Sequence, residues 1–198
     1  MNDSSTGGYL APAGSPAPLE DQALDQFLQQ IVVGITGLPG NMVRPRWQPE
    51  PPNIPAFGTN WAAIGVTDQY ADTFASEIHS STGNGSDTIY RNELLEVLLS
   101  FYGPNASSYA SIFREGISVA QNREILQQNA FGLVSVGRQR TVPEFIKERW
   151  IRRLDVVVIF RRAIEYVYPV LNLESAEITI QTDQPSSNPY TVPITAQQ

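Results

Sequence analysis

Apolar pairs at four-residue spacing open the ordered part of the chain: Ala23/Leu24, Phe27/Leu28, Ile31/Val32 and Ile35 form one stripe along a helix. Pro18 suits the first helical position, and Glu20 and Asp21 suit the positive end of the helix dipole. Gly37-Leu38-Pro39-Gly40 ends the helix, because glycine permits positive φ and proline blocks continuation. Between Pro39 and Pro55 the density of proline removes ladder donors, so the sequence predicts an extended surface segment and no interior strand.

From Asn60 the period changes to two. Trp61, Ala63, Gly65 and Thr67 alternate with Ala62, Ile64, Val66 and Asp68, and a second strand is predicted over Thr73 to His79. Ser80 to Asp87 is a loop carrying the Asn84-Gly85 turn signal, with a return strand from Thr88 to Tyr102. Leu94/Leu95, Leu98/Leu99 and Tyr102 have helical spacing there. Leu95, Val97, Leu99 and Phe101 alternate, however, and the preceding turn favours strand pairing. After Gly103-Pro104, the stripe Ala106, Tyr109/Ala110, Phe113, Ile117 and Ala120 predicts a helix, followed by a short one over Asn122 to Gln128. Phe131 to Val136 is a strand candidate. Trp150 to Tyr168 then alternates with Trp150, Leu154, Val156, Val158, Phe160, Ile164, Tyr166 and Tyr168 on one face. At about 3.3 Å per residue such a strand would run about 60 Å, so a bulge near Arg161-Arg162-Ala163 or projection beyond the sheet is expected. Ala176 to Thr182 is a last strand. The fold class is α+β, a mostly antiparallel sheet with helices packed on it. The expected organisation is a mobile arm over 1–17, one domain over 18–182, and a mobile tail over 183–198, the ends being rich in Ser, Pro and Gly.

Composition removes most chemistry. The 198 residues are 41% hydrophobic, enough for one core, and include no cysteine and one histidine. No thiol nucleophile, disulfide framework or multi-histidine metal site can be built, and no metal or cofactor is expected. A Ser-His-Asp site could use only His79, and no G-x-S-x-G pattern supports one, so His79 reads as a polar residue entering a hairpin. Gly34-x-x-Gly37-x-x-Gly40 closes a helix where a phosphate loop would open one. Glu93/Glu96 and Glu20/Asp21 lack the context of a cation or glycosidase site and read as solvated surface charges. No secretory signal or membrane-length apolar run is evident, so synthesis in the cytoplasm is expected. Together these features make an enzyme unexpected.

Charge is unevenly placed. The formal charge is −7, which disfavours a free-standing nucleic-acid binder. Arg138, Arg140, Lys147, Arg149, Arg152, Arg153, Arg161 and Arg162 nevertheless share a window with only Glu144, Glu148 and Asp155, giving +5 there and −12 elsewhere. A solvated strand face is one reading. The other is an interface between copies of the chain, with Arg149, Arg152, Arg153, Arg161 and Arg162 as candidates. Arg152 and Arg153 fall on opposite faces of the expected strand, so at least one points away from the core.

The order of residues resembles a known family. Gln48-Pro49, Pro55-x-x-Gly58-x-x-Trp61 before the first strand, a hairpin, Phe101-Tyr102-Gly103-Pro104-x-Ala106 opening a helix, Arg123-x-x-Leu126 with Asn129, and Glu148-Arg149-Trp150-x-Arg152-x-Leu154-Asp155-Val156 together resemble the neck or tail terminator proteins of tailed bacteriophages. The resemblance covers about residues 45–182 and lies in the ordered combination, not in any one element. It implies a small subunit that assembles into a ring, typically a hexamer, in the virion. That ring caps the head-proximal end of the tail tube, halts tube polymerisation and meets the head connector. The implied partners are further copies, the tail-tube protein and the connector, with no membrane and with DNA only passing through the lumen. It implies no catalytic residue. Gly103 and Pro104 are expected to set the strand-to-helix turn, and Trp150, Leu154 and Val156 to lie on the sheet's apolar face. The alternatives are another head–tail joining or tail-tube subunit and, more remotely, a small hydrolase using His79.

Overall fold

The computed structural model describes residues 2–13, 18–146, 148–173, 175–180 and 190–195, the last two ranges as backbone. In chain order it forms α1 (Asp21–Thr36), β1 (Val43–Pro45), β2 (Trp61–Ala71), β3 (Ser76–Ser80), β4 (Ser86–Tyr102), α2 (Ala106–Gly116), α3 (Glu124–Gln128), β5 (Phe131–Val136), β6 (Arg140–Thr141), β7 (Glu144–Ile146), β8 (Arg149–Ile151), β9 (Arg153–Tyr168), β10 (Ser175–Ile180) and β11 (Tyr190–Thr195). The main sheet has the order β1-β2-β4-β9-β5, with β3 also on β4 and β6 also on β9; β7-β8 and β10-β11 are separate two-stranded ladders. The architecture is the expected α+β class. Only β1 against β2 is parallel among the described ladders whose registers are established.

Alternation explains the core. Ala62 and Ile64 of β2, Leu95, Val97, Leu99 and Phe101 of β4, and Leu154, Val156, Val158 and Phe160 of β9 are buried in one cluster with Leu24, Phe27, Leu28, Ile31 and Val32 of α1. Ala106, Ala110 and Phe113 of α2, Ile117 just after it, and Leu126 of α3 complete that layer. The strand reading of residues 88–102 is therefore correct. Its odd-numbered positions face the helices, so the leucine pairs are split between faces. Ala120, assigned to the α2 stripe from sequence, is exposed because the helix ends at Gly116.

Several boundaries differ for physical reasons. Helix α1 begins at Asp21, three residues after Pro18, with Glu20 as the N-cap residue but no side-chain capping bond. The Glu20 carboxylate and the Leu19 carbonyl are instead both engaged by Arg162. At the other end Gly37 adopts φ 71° and returns its N–H to the Val33 carbonyl at 2.9 Å, as the stop signal predicts. The proline-rich stretch is not wholly superficial. Val43 is fully buried, and β1 pairs with β2 in the register Val43↔Ala62 and Pro45↔Ile64, the proline tolerated because the strand is an edge. Residues Thr73–Ala75, expected in the second strand, instead form with Asp72 the turn between β2 and β3.

The expected nineteen-residue strand is broken. Arg152 separates β8 from β9, and β8 pairs with β7 in a small hairpin of its own. The sheet irregularity lies on the neighbour: Val134 is the extra residue of β5, between Leu133↔Phe160 and Ser135↔Ile159, while Arg161-Arg162-Ala163 keeps its alternation.

Contacts gather the chain into two compact units, Pro16–Ser76 with Tyr90–Glu165, and Met1–Ser15 with Glu77–Ile89 and Tyr166–Gln198. The first contains the core just described. In the second, arm residues are hydrogen-bonded to the end of β9 and the segment after it: Ala13 donates its N–H to the Val167 carbonyl and Ser4 donates to the Pro169 carbonyl. Asn172 donates its side-chain amide to the Ser81 and Gly83 carbonyls of the 80–87 loop. Of the arm and tail expected to be mobile, residues 1, 14–17, 183–189 and 196–198 lie outside the described residues, as do 181–182 of the expected last strand, and 190–195 pair antiparallel with 175–180.

Candidate assembly interface

The site builds outward from the strand-to-helix turn. Gly103 has φ 105°, and a Cβ there would stand 2.5 Å from the Thr59 carbonyl oxygen, so glycine alone fits. The Gly103 N–H donates to the Arg152 carbonyl, and Arg152 Nη1 donates to the Pro104 carbonyl at 3.3 Å. Asn60 Oδ1 accepts from the Asn105 N–H at 2.8 Å, pinning the start of α2 to β2. Arg152 is thus held by its backbone and one guanidinium nitrogen, and its side chain is exposed.

Around this turn lies an aromatic and basic surface. Trp150 is 69% exposed and meets Phe145 across the β7-β8 hairpin, ring centroids 5.1 Å apart. Trp150 therefore does not join Leu154 and Val156 on the apolar sheet face. The break at Arg152 hands it to β8 and removes it from the sheet's alternation. Arg149 lies over the Phe57 ring at 5.0 Å. Phe57, Gly58, Gly103, Pro104, Trp150 and Ile151 enclose, with Arg152, an open hollow of about 370 Å³. The sequence reading missed Phe57 and Phe145. The spacings Pro55-x-Phe57-Gly58 and Phe145 to Trp150 carry the signal, but only the fold brings them together.

The five candidate arginines do not act as one patch. Arg149, Arg152 and Arg161 are exposed. Arg153 has a side chain 17% exposed and pairs with Asp155, Nε to Oδ1 2.7 Å, and with Glu144. Partial burial opposes its charge, yet hydrogen bonds to Asp155 and Glu144 and the nearby Tyr102 outweigh that and raise its pKa. A polar chain runs behind it: Arg46 donates to the Ser100 hydroxyl, which donates to the Asp155 carboxylate. Arg162 is 2% exposed and is committed to Glu93, Glu20 and the Leu19 carbonyl. Glu93 is therefore buried and paired, not the solvated charge its sequence context suggests, and Glu20 serves the same arginine.

Both ring nitrogens of His79 face side-chain oxygens of Asp87 and Asn172. Its Nδ1 is 2.6 Å from Asp87 Oδ1, and its Nε2, which a serine would need, faces Asn172 Oδ1 at 3.0 Å. The Asn172 orientation follows from its amide donating to two carbonyls. Hydrogen bonds to Asp87 and then Asn172 raise the His79 pKa above 6.5. Among the described residues no group of three or more His, Cys, Asp or Glu could hold a metal ion, and no helix is long and apolar enough to cross a membrane.

The chain is thus an α+β protein with an exposed aromatic and basic surface. The model of the phage neck terminator protein family matches residues 22–184, and the chain belongs to that family. No curated protein matches it. The family is a structural one of the phage neck, which places the protein in the virion with a head–tail joining role.

Proposed function

We propose that the chain is the subunit of a closed hexameric ring that ends tail-tube polymerisation and joins the tail to the head connector. Membership of the neck terminator family over residues 22–184 is the observation that carries this reading. The charge split supports it. Within the basic window Arg149, Arg152 and Arg161 stay exposed while the chain as a whole is −7, a pattern suited to head-to-tail contacts that close by rotation. Further copies, the tail-tube protein and the connector are the partners, and DNA is a passenger through the lumen. Native mass spectrometry and electron microscopy of free protein and of particles test the ring. A closed six-subunit assembly is expected; two-fold dimers alone, or open tubes, would overturn it.

A further inference from the structure

The larger unit carries a second unsatisfied feature, at the opposite end of the strand pair that bears the aromatic hollow. Trp61 of β2 is opposite Tyr102 of β4 beside the Gly103 turn, while Ala71 is opposite Glu93 where β2 runs out. Ten residues of strand separate these ends, about 33 Å at ~3.3 Å per residue. Beyond Ala71 the chain turns through Asp72-Thr73-Phe74-Ala75 before β3, and Phe74 at this tip is 87% exposed. Tyr70 beside it is also exposed and donates its hydroxyl to Asp68 Oδ2 at 2.6 Å. The turn is not loose. Asp72 donates its N–H to the Asn92 carbonyl at 3.0 Å, and Arg91 Nη1 donates to the Asp72 carbonyl at 3.0 Å. A firmly held knob therefore projects one aromatic ring and the carboxylates of Asp68 and Asp72, both on exposed residues. Arg91 is directed at the turn's own backbone, and the exposed Arg161 borders the hollow beneath Asp72.

We propose that this knob docks into the aromatic hollow of a second copy of the chain, Phe74 entering between Phe57 and Trp150 while Asp72 meets Arg152. Three observations support it. The hollow, about 370 Å³ and lined by Phe57, Gly58, Gly103, Pro104 and Trp150, has room for an aromatic ring. Its rim is cationic through Arg149 and Arg152, whereas the knob presents exposed carboxylates, so the pairing is complementary in charge. Knob and hollow lie at opposite ends of one strand pair, so no chain can fill its own hollow. The contact is heterologous and propagates from copy to copy. This inference rests on the ring reading for closure, but the contact itself does not require it.

The absence of cysteine from the chain gives a clean test. In a chain carrying both Asp72→Cys and Arg152→Cys, a short bis-maleimide should produce a ladder of covalent multimers that ends at the copy number of the ring. An equimolar mixture of the two single variants should stop at one-to-one dimers, and neither single variant alone should crosslink. Phe74→Ala should raise the concentration for half-assembly about tenfold without moving the melting temperature. A double variant that still assembles into the wild-type ring by mass but gives no ladder overturns the knob contact alone, whereas loss of its assembly supports the pair. A ladder without an end overturns the closed ring and keeps the contact. No ring in wild type and no ladder in the double variant overturns both, and self-crosslinking of Asp72→Cys shows a two-fold contact and overturns the proposal.

Discussion

Arg162 Nε lies 2.8 Å from Glu93 Oε2, with both side chains almost wholly withdrawn from water. The remaining guanidinium donors go to Glu20 Oε1 at 2.7 Å and to the Leu19 carbonyl at 2.6 Å, so β9 holds both β4 and the entry to α1 through one side chain. A buried pair satisfied in this way is costly to break because the partner left behind keeps its charge without compensation.

Arg162→Ala should accordingly lower stability by about 3–5 kcal/mol in urea unfolding, since Glu93 would remain buried. Arg161→Ala, one residue away and exposed, should change it by no more than about 0.5 kcal/mol. Equal effects of the two variants would show that the Glu93 pair does not hold the core.

The neighbouring arginines Arg152 and Arg153 should separate in the same manner. Arg152→Glu removes an exposed side chain and should leave unfolding within about 0.5 kcal/mol of wild type while weakening assembly. Arg153→Glu sets a third carboxylate beside Asp155 and Glu144. It should cost about 2–3 kcal/mol, between a surface pair and a fully buried one. Wild-type assembly should also weaken as salt rises, because exposed charges are screened. Assembly by the Arg152 variant indistinguishable from wild type across a salt series would return that arginine to the solvated surface.

Gly103→Ala meets two penalties at once, the positive φ and the Thr59 carbonyl 2.5 Å from the new Cβ. A loss of about 1–3 kcal/mol is expected from thermal denaturation, with α2 and the Arg152 turn displaced together. An unchanged melting temperature would mean that this turn can relax without cost.

For His79 the sign follows from its raised pKa. Asp87 and Asn172 both accept from the ring and favour its charged form, while Glu77 adds a weaker attraction. The stabilisation is fully present below the unfolded value of about 6.5 and is lost as pH rises through the higher folded value. An NMR titration should place the His79 midpoint above 6.5, with amide protection in the 80–87 loop, taken relative to the intrinsic exchange rate at each pH, falling across that midpoint. In His79→Gln this step in protection should disappear. A midpoint at or below the unperturbed value would contradict the hydrogen bonds of His79 to Asp87 and Asn172.

Local pattern was enough to specify the α1 stripe, its glycine stop, and the alternation of β4 and β9, because burying an apolar face imposes a period that any stretch of sequence displays. The same alternation holds the clue that was not legible. Arg162 continues the parity of Leu154, Val156, Val158 and Phe160, yet the length of the run suggests a bulge there. Its burial is tolerable only because Glu93, 69 positions away, and Glu20, 142 away, are brought to it. Trp150 shows the converse. It fits the strand's period but leaves the sheet, because Arg152 turns its carbonyl to Gly103 and its side chain to Pro104, and β8 pairs with β7. The arginine cluster was likewise visible in composition, but only the fold divides it into Arg153 and Arg162, spent inside the fold, and Arg149, Arg152 and Arg161, left at its surface. Periodicity is a property of neighbours along the chain, whereas the partner that neutralises a charge is set by distance in space, and only the tertiary structure supplies that distance.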